Sequence, residues 1–342
     1  MPVHDIAHVE LYTRDKVAAI DYFVSALGFT RTADRVEVDR SSALLRQGDL
    51  QLVVTSGPGI WKFLDRHGDG IADLALTCDD VQATRNAAIA AGARDAGSPH
   101  GAPAVSAFGD VTHTLLPATG RPPSAPPPGR PWTPTPAPAP GPTAAPVIRL
   151  LDHVAVCLDG GTLQEQADFY RDAFGFARYS AEYVAVGGQA MDSVVVRSAS
   201  GRVILTLVAP DPGKNPGQLD AFLERNAGPG VQHLAFRVDD IIGAVHALRE
   251  RGVEFLATPD TYYDMLADRL PELADRVSAL HAAQILVDSD EWGHLLQLFT
   301  RSPYERSTLF YELIQRQGSR GFGSANIRAL YEAVERDRLT AP

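Results

Sequence analysis

Three side chains that often bind metals lie in apolar stretches of the second half of the sequence. His153 and His233 each lie among aliphatic and aromatic residues, and Glu312 lies in the middle of a similar run, 307–316. Such runs predict buried strands, and a carboxylate buried in a strand must be paired, protonated or bound to a metal. Two imidazoles and one carboxylate form a facial triad, which holds a divalent ion and leaves about three positions open. The three residues therefore predict a metal site with the ligand set of non-haem Fe(II) oxygenases.

Side chains alternate between the two faces of a strand, so the sequence predicts which residues share a face with each ligand. A period of two places His153 on one face with Leu151 and Ala155, and it places Glu312 with Ile314. A lone buried histidine is more often an ordinary core residue. Three candidates in matching strands favour metal binding instead.

The elements that position the triad belong to an internal repeat. Segment 5–29 reappears as 151–176, and segment 67–76 reappears as 227–236. Two diverged copies of one unit are therefore present. Each copy predicts the order strand, helix, several strands, strand, helix, strand, which is an α+β fold. The predicted helices are 16–26, 81–91, 164–173 and 241–250, and the predicted hairpins are 41–55 and 193–208.

A proline-rich segment, 117–146, separates the two copies. Proline lacks an amide hydrogen, so we expect an extended linker that forms neither ladders nor helices and acts as a spacer. A PxxP ligand for another protein is the alternative. The predicted domains are an N-terminal structural module at 1–116, the linker at 117–146, and a C-terminal catalytic module with a terminal helix at 147–342.

The first copy lacks a complete set of ligands. His8 matches His153, but Asp73 lies where the second copy has His233, and the linker follows before any counterpart of Glu312. We therefore expect no metal there.

Composition excludes several classes of protein. The 342 residues include 31 basic and 42 acidic ones, and the net charge of −11 disfavours nucleic acid and anionic membranes as partners. Only Cys78 and Cys157 are present, both in apolar runs, which excludes a thiolate zinc site and a disulfide framework. The sequence shows neither a signal peptide nor a long apolar stretch, so we expect a cytoplasmic protein.

Several motifs resemble one family. The segments 230–233, 297–300, 310–316 and 321–323, with Asn326, are similar to those of the 4-hydroxyphenylpyruvate dioxygenase group of the vicinal oxygen chelate superfamily. The resemblance implies two tandem βαβββ modules that form open barrels. It also implies Fe(II) as cofactor, O2 as co-substrate, a small aromatic 2-oxo acid as substrate, and a homodimer. Because that acid chelates iron and is itself decarboxylated, no separate 2-oxoglutarate is needed.

This group includes two activities on 4-hydroxyphenylpyruvate. One forms homogentisate in tyrosine catabolism, and the other forms 4-hydroxymandelate for glycopeptide-type antibiotics. At 207–212 and 325–327 the chain departs from the usual dioxygenase segments, and with 188–193 and 198–201 it resembles the mandelate-forming branch. The resemblance therefore favours (S)-4-hydroxymandelate and CO2 as products, supplying hydroxyphenylglycine for nonribosomal peptides.

The resemblance and the polar residues inside apolar strands together indicate a substrate pocket. A helix at 324–338 is expected to close it as a lid, with ordinary packing as the alternative. The candidate substrate-binding residues are Ser193, Thr206, Gln218, Gln297, Phe322 and Ile327.

Two other functions stay open. Homogentisate formation is the nearest alternative. A non-enzymatic binding protein of the bleomycin-resistance type shares the fold, but it has no need of a buried Glu312 opposite two histidines.

Overall fold

The structure, a computed structural model, describes residues 2–98, 101–118, 122, 125–129, 131–136, 146–323 and 326. Within these residues, no helix is long and apolar enough to cross a membrane.

The first half of the chain forms a nine-stranded sheet in the order β6-β7-β8-β5-β1-β4-β3-β2-β9. Its strands are β1 Val3–Tyr12, β2 Thr30–Val36, β3 Ser41–Gln47, β4 Leu50–Ser56, β5 Gly70–Cys78, β6 Asp95–Gly97, β7 Ala104–Ser106, β8 Thr112–Pro117 and β9 Thr133–Pro134. Its helices are α1 Lys16–Asp21, α2 Trp61–His67 and α3 Val81–Ala90. The helix predicted at 16–26 changes at Tyr22–Ala26 into a π-helical turn.

The second half forms an eight-stranded sheet in the order β11-β12-β13-β10-β14-β17-β16-β15. Its strands are β10 Leu150–Cys157, β11 Ala177–Val186, β12 Gln189–Arg197, β13 Ile204–Pro210, β14 Gly230–Arg237, β15 Leu286–Asp290, β16 Gly293–Phe299 and β17 Phe310–Gln317. Its helices are α4 Leu163–Phe174, α5 Gln218–Asn226, α6 Ile241–Glu250, α7 Asp260–Arg269 and α8 Val277–Ala283.

The two sheets share one topology, which confirms the repeat and the α+β class. β1 is parallel to β4 and antiparallel to β5, just as β10 is parallel to β13 and antiparallel to β14. β5 is parallel to β8, and β14 is parallel to β17. These are two tandem barrel modules of the predicted kind. The predicted terminal helix lies outside the described residues except for Asn326.

A β-bulge corrects one prediction about strand faces. Leu151 pairs with Phe236 and His153 pairs with Ala235, so Asp152 is an extra residue on β10. Because Phe236 and Ala235 point to opposite faces, so do Leu151 and His153. The prediction that Leu151 shares a face with His153 is therefore wrong. The bulge brings the Asp152 side chain beside the imidazole of His153.

The linker also differs from its prediction as a spacer without ladders. β9, in the middle of it, pairs with β2 at the edge of the sheet, where a proline costs no ladder donor. Trp132 packs against Leu44 and Val53, and its indole nitrogen donates to the carbonyl of Pro127 at 2.8 Å. The guanidinium of Arg35 lies 4.5 Å from the centre of the Trp132 ring. This part of the linker is thus docked on the first sheet.

A single apolar core joins the two modules. Tyr311 of β17 stacks on Phe236 at 5.4 Å and meets Phe23 of the first module edge-on at 5.4 Å. His113 of β8 is hydrogen-bonded to the hydroxyl of Tyr170 on α4 at 2.9 Å, and burial lowers the pKa of His113 to about 4. The first module therefore supports the strand that carries Glu312.

We expect Phe236→Ala to destabilise the protein by about 3–5 kcal/mol, because it leaves a cavity where the two modules meet. Phe236 is buried and contacts rings from both modules. Chemical denaturation measures the change. Val38→Ala, at a side chain that is 92% exposed, is the control and should shift the free energy of unfolding by less than about 0.5 kcal/mol. Equal stability of the two variants would contradict a shared core.

Candidate metal centre

The predicted triad converges on one point. His153 Nε2 lies 3.4 Å from Glu312 Oε2, and His233 Nε2 lies 3.3 Å from the same oxygen. One ligand atom from each residue lies within 4.8 Å of those of the other two. Residues from β10, β14 and β17 thus meet although they are far apart in the chain.

Sheet register explains the convergence. The three strands are neighbours in the order β10-β14-β17, and Ala235 of β14 pairs with both His153 and Glu312. Those two side chains therefore flank a small residue on the same face, and His233 precedes Ala235 by two positions on that face. Alanine leaves the space that the ligand atoms occupy.

Asp152 and Arg316 orient His153, and neither was singled out from the sequence. Asp152 Oδ1 accepts a hydrogen bond from His153 Nδ1 at 3.0 Å. The Arg316 guanidinium donates to both oxygens of Asp152, at 2.7 and 2.8 Å, and its Nη1 donates to the carbonyl of Gly321 at 2.7 Å. With Nδ1 engaged as a donor, Nε2 of His153 presents its lone pair to a metal. A bulge that turns Asp152 toward its neighbour could not be read from the sequence.

The charges of the site follow from these contacts. Burial alone raises the pKa of Glu312, but the two imidazoles that face its carboxylate outweigh burial and lower that pKa to about 2. Burial also opposes the charge on Asp152, yet Arg316 and His153 hold the pKa of Asp152 well below its ordinary value. Burial lowers the pKa of His233. At neutral pH the site therefore offers an ionised carboxylate and a neutral His233.

Aromatic rings enclose His233. Phe310 stacks on its imidazole with 5.1 Å between ring centres, and Phe299 meets it edge-on at 5.9 Å. Gln232 Oε1 lies 3.2 Å from His233 Nδ1 and accepts a hydrogen bond from it. Gln232 is a further residue of the site that the sequence reasoning did not identify as such.

The donor set fits a divalent metal ion. Ligand atoms at about 2.0–2.2 Å from an ion lie about 2.8–3.6 Å apart in octahedral to tetrahedral arrangements. The two nitrogen-to-oxygen distances fall in that range, and they exceed the 2.7–2.9 Å of a charge-assisted hydrogen bond. Within the described residues, this is the one group of three such side chains that meets the spacing.

Register places three of the predicted substrate residues on the same inner face. Thr206 pairs with Ala155, which in turn pairs with His233. On its other side Thr206 pairs with Val195, and Ser193 lies two residues before Val195 on the same face. Gln297 pairs with Ile314, two residues beyond Glu312. Thr206 Oγ1 and Gln297 Oε1 are buried without a hydrogen-bond partner among the described residues.

The other three predicted substrate residues differ from one another. The Phe322 ring lies edge-on to His153, with 5.3 Å between ring centres. Gln218 is exposed at the first residue of α5, which does not support a contact with substrate, and its role stays a prediction. Ile327 lies outside the described residues.

Asp290 fixes the loop that carries Phe322. Its Oδ2 accepts hydrogen bonds from Ser319 Oγ, Arg320 N and Gly321 N at 2.7–2.8 Å. Burial raises the pKa of Asp290, but these bonds outweigh it and lower that pKa to about 2. Because the folded-state pKa is depressed from 3.8, this anchor is at full strength above pH 4 and weakens as pH falls toward 2.

Among its described residues, the first module has no equivalent ligand set. Asp73 pairs with Thr112 in the first sheet, just as His233 pairs with Phe310 in the second. Two residues further along each strand, Thr114 therefore occupies the position of Glu312. Asp73 Oδ1 accepts hydrogen bonds from Thr112 Oγ1 at 2.6 Å and from Thr114 N and Oγ1 at 3.0 Å. A carboxylate engaged in this way is not presented as a metal ligand.

We expect Asp152→Asn to lower the affinity for Fe(II) by about 10–100-fold, because the amide holds His153 less strongly and leaves Arg316 unpaired. Anaerobic titration calorimetry measures the affinity. The control is Asp172→Asn, which breaks an exposed ion pair with Arg171 and should leave metal binding unchanged. Wild-type affinity in Asp152→Asn would contradict its role in orienting the ligand.

Comparison with known proteins agrees with this geometry. The glyoxalase/bleomycin resistance protein/dioxygenase superfamily matches residues 7–107 and again 150–298. The 4-hydroxyphenylpyruvate dioxygenase of Yarrowia lipolytica is 31% identical over 97% of this chain and 91% of its own length. That of Neurospora crassa is 34% identical over 80% of this chain and 71% of its own length.

A solved structure covers the whole chain. A mutant of 4-hydroxymandelate synthase from Streptomyces coelicolor superposes with a TM-score of 0.88, is 48% identical, and aligns over 99% of this chain and 100% of its own. The repeat, the triad and these matches lead to one conclusion. The chain belongs to the 4-hydroxyphenylpyruvate dioxygenase family of non-haem iron enzymes, in the glyoxalase/bleomycin resistance protein/dioxygenase superfamily.

Proposed function

We propose that the protein converts 4-hydroxyphenylpyruvate and O2 into (S)-4-hydroxymandelate and CO2, with one Fe(II) held by His153, His233 and Glu312. The convergence of these three side chains is the observation that carries the proposal. A bound Fe(II) supplies open positions at which the 2-oxo acid chelates and O2 is activated. The reaction balances, because both oxygen atoms of O2 are accounted for in mandelate and CO2.

The protein's own residues hold and orient the substrate in this proposal. Phe322 lies 5.3 Å from His153 between ring centres, and its ring packs against the substrate ring in this proposal. Gln297 Oε1 is a buried acceptor without a partner among the described residues, and the phenol hydroxyl is a donor. Thr206 Oγ1, on β13, is also buried without a partner among the described residues, and Ser193 lies near it on the adjacent strand β12. Burial of Glu312 and His153 keeps bulk water from these two ligands.

Benzylic rather than ring oxidation is supported by similarity. The synthase from Streptomyces coelicolor is 48% identical, whereas the dioxygenases from Yarrowia and Neurospora are 31% and 34% identical. Segments 207–212 and 325–327 also depart from the usual dioxygenase sequence. The isoleucine at 327 replaces the usual phenylalanine, and we expect the smaller side chain to leave the substrate ring room to withdraw and present its benzylic carbon. A supply of hydroxyphenylglycine for antibiotics is the corresponding role, in the cytoplasm and in a homodimer.

We expect the Fe(II)-loaded protein to form 4-hydroxymandelate as its main product, and His153→Ala, His233→Ala and Glu312→Ala each to lose turnover and Fe(II) binding. Anaerobic loading followed by substrate and O2, with chiral chromatography of the products, measures this. Mandelate and homogentisate are isomers, so mass alone does not separate them. Homogentisate as the main product would replace the proposal with its alternative, and normal turnover in any variant would refute the ligand set.

We expect Gln297→Leu to raise the KM for 4-hydroxyphenylpyruvate about 5- to 100-fold, because a hydrogen bond to the phenol is lost. Phenylpyruvate, which lacks the hydroxyl, is the matched control and should show little change between variant and wild type. Steady-state oxygen uptake measures both. An equal change for the two substrates would mean that Gln297 does not recognise the phenol.

A further inference from the structure

A cavity lies between the two modules, separate from the triad. Its volume is about 270 Å³, and its walls come from β1, the β3–β4 turn and the start of β4 in the first module and from β10–β14, β17 and the loop after β17 in the second. None of the triad residues lines it, and neither do Thr206 and Gln297. It shares three side chains with the surroundings of the metal centre, namely Asp152, Arg316 and Phe322.

The cavity carries an excess of positive charge in a chain whose net charge is −11. Three aspartates face it, namely Asp5, Asp49 and Asp152, and so do five arginines, namely Arg197, Arg202, Arg237, Arg316 and Arg320. Arg316 is paired with Asp152, and Arg202 donates to Asp5 at 2.8 Å. These pairs neutralise only part of the charge.

Three of the five arginines are left over. Arg320 is exposed and lies 4.7 Å from the ring centre of Trp292, which leaves Arg197 and Arg237 for a ligand. Both are half-buried, and among the described residues neither has a carboxylate within ion-pair distance. Arg197 lies 4.3 Å from the ring centre of Tyr179, which holds it in place but does not cancel its charge. Guanidinium groups held in this way present forked donors that match a carboxylate.

Apart from Gly201 and Ser319, the rest of the lining is apolar or aromatic. Tyr179 and Phe322 meet edge-on with 6.1 Å between ring centres, and Leu151 and Ile204 complete this side. A ligand with one anionic end and one flat apolar end matches such walls. The volume is sufficient for a single-ring compound.

We propose that this cavity is a second ligand site that binds a small aromatic carboxylate, with Arg197 and Arg237 on the carboxylate and Tyr179 and Phe322 on the ring. The site contacts the groups that position the metal ligand. The Arg316 guanidinium lies 5.0 Å from the Phe322 ring and holds Asp152, which in turn holds His153. Binding at this site requires neither the metal nor the proposed reaction.

The test is calorimetric titration of the metal-free, full-length protein with phenylacetate, which lacks a 2-oxo group. We expect one equivalent to bind, and we expect Arg197→Gln and Arg237→Gln each to weaken it about tenfold or more, because each removes a charge-assisted hydrogen bond. Two controls should match the wild type. Arg301→Gln removes an exposed arginine outside the cavity, and Thr206→Val alters the barrel that holds the triad.

Acetate separates the ring from the charge, and we expect it to bind at least tenfold more weakly than phenylacetate. Acetate binding as tightly as phenylacetate would refute the aromatic part of the site. Wild-type affinity in both arginine variants, a loss of binding in Thr206→Val, or no binding to the wild type at millimolar phenylacetate would overturn the proposal.

Discussion

The contact between Glu312 and two imidazoles is the interaction on which the rest of the structure depends. A carboxylate that is only 2% exposed is costly unless it is compensated, and removing one partner from such a pair costs about 3–5 kcal/mol. The compensation comes from β10 and β14, and the alternation of β17 puts Tyr311 on the other face. One strand thereby joins the metal centre to the core between the modules.

The two modules of the repeat differ at the positions of the metal ligands. Both modules keep the same strand pairing, but in the first a threonine stands at the position of Glu312 and Asp73 is bound by two threonines. The linker then docks Trp132 against that sheet. The first module contributes Phe23 to the packing of Tyr311, the residue next to Glu312.

Much of this arrangement was predictable from the sequence, because the spacing of apolar residues and the internal repeat can be recognised directly along the chain. The helix at 241–250 was predicted to the residue, and the triad was predicted from isolated polar residues in apolar strands. The sequence did not predict the bulge at Asp152 or its pairing with Arg316, because both depend on register between distant strands. The docking of the linker likewise depends on Trp132 finding an apolar face that only the folded sheet offers.

The most direct measurement is anomalous diffraction at the iron edge from crystals grown anaerobically with Fe(II). The account predicts one iron per chain, bound to Nε2 of His153, Nε2 of His233 and an oxygen of Glu312, at about 2.0–2.2 Å each. It also predicts that no fourth protein ligand closes the remaining face. Iron beside His8, or a site saturated by protein side chains, would contradict it.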